Sequence, residues 1–177
     1  MEQLKYPVGR FDVKQAAPDA DERRRLIDSL ASTPSQMTAA VAGLSETQID
    51  MPYRDGGWTI RQVVHHVPDS HMNAYIRIKW GLTEDVPLIK TYDEKAWSEL
   101  ADARTAPIQM SLDLLAAVHL RWDALWNSMA DSDFARTIRH PEWGEITLAA
   151  MLRLYEWHGR HHVAHINGAR ERYGWGR

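Results

Sequence analysis

Histidine is the residue in this chain whose number and spacing most clearly suggest chemistry. The chain carries nine histidines, four of them within 158–165 and three within 65–71. In the segment YEWHGRHHVAHI, His158 and His162 stand four residues apart. On a helix that spacing puts two imidazoles on one face, one turn apart, where both can reach one divalent ion at ~2.0–2.1 Å. Steps of three and four extend the stripe through Met151, Tyr155, His158, His162 and His165. An earlier segment gives a matching polar stripe of Gln62, His66, Asp69, Asn73 and Arg77. Burying such groups without partners costs about 1–3 kcal/mol each, so a metal, water or polar ligand is expected to meet them.

Spacing leaves alternatives open. His161 and His165 repeat the four-residue interval, and His65 competes with His66 for the earlier helix. The zincin pattern H-E-x-x-H is not met, because Gly159 occupies the place of its glutamate.

These stripes need helices, and the rest of the chain supplies them. Residues 1–18 read as extended, broken by Pro7, Gly9 and Pro18. Residues 20–43 read as a helix with a kink at Pro34. Ser45-Glu46-Thr47-Gln48 is a capping box for a short helix. After the Asp55-Gly56-Gly57 turn, Thr59 and Gln62 form a second capping box opening a helix over 59–82, with Pro68 inviting a bend. Residues 83–107 read as a long ordered loop, and a third helix covers 108–130. A small hairpin is expected around HPEWGEI, after which Thr147 caps a last helix over 147–172, stopped near Gly174. Four long amphipathic helices in 177 residues predict one all-α domain over 1–177, a four-helix bundle.

Composition narrows the function classes. A formal net charge of −3 gives no electrostatic case for a nucleic-acid partner. No run approaches the ~18 apolar residues of a membrane span, and the opening residues lack a secretory signal's apolar core. The chain contains no cysteine, which removes disulfides, thiolate ligands and a cysteine nucleophile and is consistent with a cytoplasmic location.

Four segments, YPVGRF, DMPYRDGGWTIRQVVHHVPDSHMNAYIRIK, YDEKAWSEL and LYEWHGRHHVAHI, occur in colinear order across nearly the whole chain. Through them the sequence resembles the DinB-like superfamily, and within it the YfiT group, labelled metal-dependent hydrolases and including bacillithiol S-transferases. The resemblance implies a four-helix bundle with a metal held by one histidine of the second helix and an H-x-x-x-H pair of the last. Matched here, these are His66, His158 and His162. It implies one divalent transition-metal ion per chain, zinc or nickel, activating a water or a thiol. It also implies a small-molecule substrate, a low-molecular-weight thiol plus an electrophile being preferred, and a homodimer. A non-catalytic, metal-carrying stress-response module is the alternative. Asn73, Arg77 and Tyr155 are the expected substrate-binding residues: the first two for a carboxylate or phosphate, the tyrosine for a metal-bound group. Asp69, Asp93 and Glu94 are further candidates near the site, while Trp58 and Trp97 are expected to anchor packing.

Overall fold

The computed structural model describes residues 2–176. Its elements are α1 (Glu2–Lys5), α2 (Ala20–Ala31), α3 (Thr33–Val41), α4 (Glu46–Ile49), α5 (Ile60–Thr83), α6 (Glu94–Ser98), α7 (Ala101–Thr105), α8 (Ile108–Ser128), a 3-10 turn (Asp131–Ala135), β1 (Thr137–His140), β2 (Gly144–Thr147) and α9 (Leu148–Tyr173).

Local chemistry sets most boundaries. Both capping boxes form: Ser45 with Gln48 at α4, and Thr59 with Gln62 at α5. Thr147 accepts from the Ala150 N–H to open α9, and Gly174 closes that helix in the left-handed conformation at φ 68°. α5 continues through Pro68 without a break. The first bundle helix departs from expectation. It is two helices rather than one kinked helix, divided at Ser32, with Pro34 in the first turn of α3, where its missing N–H costs nothing. The 83–107 segment also departs, since it contains α6 and α7; Asp93 opens α6 by accepting from the Ala96 N–H. Residues 1–18 contain the single-turn α1. β1 and β2 pair antiparallel from Thr137↔Thr147 to His140↔Gly144, so the expected hairpin forms with longer arms.

The four-helix bundle consists of the broken helix α2–α3, α5, α8 and α9. α5 packs against α8 and α9, and the broken helix packs against the same two. Two apolar clusters fill opposite ends. One gathers Ile27, Leu30, Ile78, Trp122, Trp126, Leu148 and Leu152; the other gathers Met37, Val41, Ile60, Val64, Val67, Leu115, Val163 and Ile166. The order in which each helix crosses them gives its direction. α5 and α8 run from the Met37 end to the Trp122 end, while α2–α3 and α9 run the opposite way. The tightly packed pair α5 and α8 is therefore parallel. A parallel connection must travel back along about 30 Å of helix, which accounts for the long segment holding α6 and α7.

Between the apolar ends lies a layer of histidines: His66 and His71 from α5, His119 from α8, and His158 and His162 from α9. Among the described residues, no helix is long and apolar enough to cross a membrane.

Candidate metal centre

His66, His158 and His162 each offer a ring nitrogen within 4.8 Å of the others. The Nε2 atoms of His66 and His158 are 3.2 Å apart. Two imidazoles bound to one ion at ~2.0–2.1 Å are separated by about 2.9 Å at a right angle and about 3.3 Å at the tetrahedral angle, so the spacing fits a shared ion. Protonation fits as well. Burial lowers His66 to about 4, and it lowers His158 and His162 well below the usual imidazole range, with neighbouring histidines adding to each shift. The three rings are thus neutral at pH 7, the form in which imidazole binds metal. His162 Nδ1 is buried without a hydrogen-bond partner among the described residues. Trp58 walls this side of the cluster, 4.8 Å from His66 and stacked at 6.5 Å on His162. The expected packing role of Trp58 is therefore exercised at the site itself.

Behind His158 runs a chain of imidazoles. His158 Nδ1 lies 3.0 Å from His71 Nε2, and His71 Nδ1 lies 2.7 Å from His119 Nε2. His71 has no exposed surface. Burial lowers His119 to about 4, with the nearby Leu30 backbone carbonyl working in the opposite direction. With His158 Nε2 facing the cluster, one direction satisfies every contact. His158 Nδ1–H donates to His71 Nε2, and His71 Nδ1–H donates to His119 Nε2. The chain starts on α9, crosses α5 and ends on α8. Neither His71 nor His119 was among the residues expected at the site. The sequence signal was the third histidine of the 65–71 cluster, five residues beyond His66 and off the ligand stripe.

On its other side, half-buried His158 lines a pocket of about 270 Å³ shared with Ser70, Arg77, Tyr92, His140 and Tyr155. Arg77 Nη1 donates to the Tyr155 hydroxyl at 3.3 Å and Nη2 to the Lys90 carbonyl at 2.7 Å. The β-hairpin contributes His140, with the Trp143 ring stacked 4.3 Å from it.

Comparison with known proteins agrees with this architecture. The family model of the DinB superfamily matches residues 29–166. A Bacillus licheniformis protein is 49% identical over 176 residues, covering 99% of both chains. The Bacillus subtilis protein named "Putative metal-dependent hydrolase YfiT" is 47% identical over 173 residues, 97% of each chain. The chain belongs to the DinB superfamily. Within it, the YfiT group is its place. The solved structure of Bacillus subtilis YfiT, described as having an unusual four-helix bundle topology, superposes with a TM-score of 0.95 at 46% identity, covering 98% of this chain and 99% of that one. The four-helix bundle protein TT2238 shares the fold alone, at TM-score 0.54 and 19% identity over 80% of this chain and 94% of that one.

In this DinB-superfamily chain the remaining histidines have other partners. His65 donates from Nε2 to the Ala106 carbonyl at 3.1 Å and accepts at Nδ1 from Ser111 at 2.7 Å, so both its nitrogens are engaged. His165 lies against Tyr53 at 4.0 Å, with Nε2 3.2 Å from the Lys5 carbonyl. His161 stacks on Trp157 at 4.5 Å. Of the expected substrate-binding residues, Arg77 and Tyr155 line the pocket. Asn73 does not; its side-chain amide donates to the Asp69 carbonyl one turn back on its own helix. Asp69 is half-buried, raised to about 6 chiefly by burial and then by Asp102, and hydrogen-bonds no histidine. Glu94 reaches the pocket rim, Asp93 is spent on capping α6, and Trp97 packs on Tyr92 at 4.5 Å.

Proposed function

We propose that this protein is a metal-dependent enzyme that activates a nucleophile at His66, His158 and His162 and delivers it to a small molecule in the adjoining pocket. The observation that carries the reading is that His158 belongs both to the three-histidine cluster and to the pocket lining. Three protein ligands are the number characteristic of catalytic rather than structural zinc sites. The relatives' names, metal-dependent hydrolases, support the same class.

A divalent ion held there, zinc or nickel, supplies Lewis acidity that favours the deprotonated form of a water or a thiol at neutral pH. The residues of the chain do the rest. His71 holds the His158 ring, Trp58 excludes water from one side of the cluster, and Arg77 and Tyr155 line the space where a substrate sits.

Between the two nucleophiles we favour a thiol. No carboxylate among the described residues hydrogen-bonds any of the three imidazoles, and water is by far the weaker acid of the two. A thiol, titrating at about 8.5 unaided, needs far less help. The chain has no cysteine, so the sulfur belongs to a cosubstrate. The test incubates zinc- or nickel-loaded protein with low-molecular-weight thiols and monochlorobimane, and in parallel with simple ester and amide substrates. Thiol-dependent conjugation above the His162→Ala background supports S-transfer. Ester or amide cleavage alone moves the assignment to hydrolysis, and activity equal to background in both assays overturns the enzymatic reading.

A further inference from the structure

Among the described residues, Arg77 is the only arginine lining the pocket that holds His158, and it is 6% exposed. A guanidinium so deeply placed is normally matched by a carboxylate, because removing its charge from water is costly. Here no acidic side chain forms an ion pair with it among the described residues. Its guanidinium donates to neutral oxygens, the Tyr155 hydroxyl and the Lys90 carbonyl. Buried Arg61 pairs with Asp50 and Glu46, and buried Arg153 with Glu22. Buried Arg170, like Arg77, has no acidic partner among the described residues and is held by the Ala40 and Ala42 carbonyls. What sets Arg77 apart from Arg170 is that it lines a pocket beside His158.

A second donor faces the same space. The Glu142 backbone N–H donates to His140 Nδ1 at 3.2 Å, so the neutral His140 ring carries its proton on Nε2. Burial is the first cause that lowers His140, and Arg77 nearby adds to it against Glu142, which keeps the ring neutral. His140 Nε2–H is thus a neutral donor presented to the pocket by the hairpin.

We infer that Arg77 and His140 form an anion subsite for the carboxylate of a small substrate or cosubstrate. A carboxylate matches the charge better than a phosphate. Arg77 supplies one positive charge, and exposed Glu94 and Glu142 on the same rim repel an anion, so a singly charged group is opposed less than a doubly charged one. The subsite shares its pocket with His158 of the histidine cluster: Arg77 reaches the Tyr155 hydroxyl, and the Tyr155 ring lies 5.9 Å from that of His158. A carboxylate held by Arg77 therefore lies in the same pocket as a group reacting beside His158. This inference rests on the enzymatic reading for what happens at His158, but not for the anion contact itself.

The experiment measures binding of 3-phenylpropionate and its neutral amide, 3-phenylpropanamide, by calorimetry to the full chain, metal-free and zinc-loaded. The acid should bind about tenfold or more tightly than the amide, the usual worth of a hydrogen bond to a charged partner. That preference should be the same with and without zinc, vanish in Arg77→Met, and shrink in His140→Ala. Equal affinities for acid and amide overturn the inference, as does a preference that survives Arg77→Met. A preference seen only with zinc assigns the carboxylate to the ion and also overturns it. If Arg77→Met fails to fold by circular dichroism, the wild-type comparison and His140→Ala decide between the same outcomes. Because the metal-free arm needs no catalysis, loss of the enzymatic reading and loss of the subsite are separately visible.

Discussion

His71 Nδ1 lies 2.7 Å from His119 Nε2 in the middle of the bundle, and the other face of the same ring meets His158 Nδ1 at 3.0 Å. A buried imidazole with both nitrogens engaged cannot rotate or change tautomer without breaking a contact on one side. Through it the orientation of His158 is set by α5 and α8 together. Replacing His71 by Phe keeps the volume near ring size but orphans His158 Nδ1 and His119 Nε2. Zinc affinity is expected to fall about 10–100-fold, the usual effect of removing a partner that orients a ligand. Zinc competition titration measures the affinity, and nitrogen chemical shifts of 15N-labelled histidine report the tautomer. A His158 locked with its proton on Nδ1 in the wild type and mixed in the variant is the expected signature. Unchanged affinity and tautomers would show the relay to be packing only.

The glycine beside His158 has a packing reason. A Cβ built on Gly159 would stand 2.6 Å from Thr33 Oγ1 and 2.8 Å from its Cγ2, and Thr33 is itself buried at the start of α3. The place where a zincin would carry glutamate is thus closed to any side chain while α3 sits against α9. Gly159→Ala should destabilise the fold by about 1–3 kcal/mol, the ordinary cost of overpacking. Thr33→Ala in the same chain should recover part of the loss. Urea unfolding of the single and double variants checks this, and additive losses would contradict the contact.

Acid should weaken the metal-free fold in a defined window. His66, His119 and His161 are held at about 4 and His165 at about 3, each mainly by burial. Unfolded histidine titrates at about 6.5, so between these limits the unfolded chain binds more protons than the folded one. Stability from these groups is complete above pH 6.5, falls as the pH drops from 6.5 towards about 4 and 3, and is lost no further below. Urea midpoints at pH 7.5, 6, 5 and 4 should decline steadily across the window. A flat profile between pH 6.5 and 4.5 would show that these rings protonate without unfolding the layer.

Local rules explain what could be read from the chain. The caps at Ser45, Thr59 and Thr147 and the stop at Gly174 depend on side chains within three or four residues of the backbone they serve, and each formed where spacing placed it. The convergence of His66 on His158 needed the family resemblance, since periodicity left His65 and the 161/165 pair as rivals. Their exclusion comes from tertiary partners such as Ser111, Tyr53 and Trp157, which no interval along the chain encodes. His71 and His119 were missed for the same reason: each stands alone on its helix face, and only the parallel packing of α5 on α8 brings them together. Asn73 lay on the right stripe, yet its short side chain found a carbonyl on its own helix before it could reach the pocket. α6 and α7 are single-turn helices of five residues each, too short for periodicity to register.

The central claim is that His66, His158 and His162 together hold one divalent ion. Equilibrium dialysis of untagged, chelator-treated protein against zinc, followed by elemental analysis, tests it most directly. The expected result is close to one zinc per chain, with saturable binding lost in His66→Ala, His158→Ala and His162→Ala, each folded by circular dichroism. A stoichiometry near zero for the wild type, or one that all three variants retain, would contradict it.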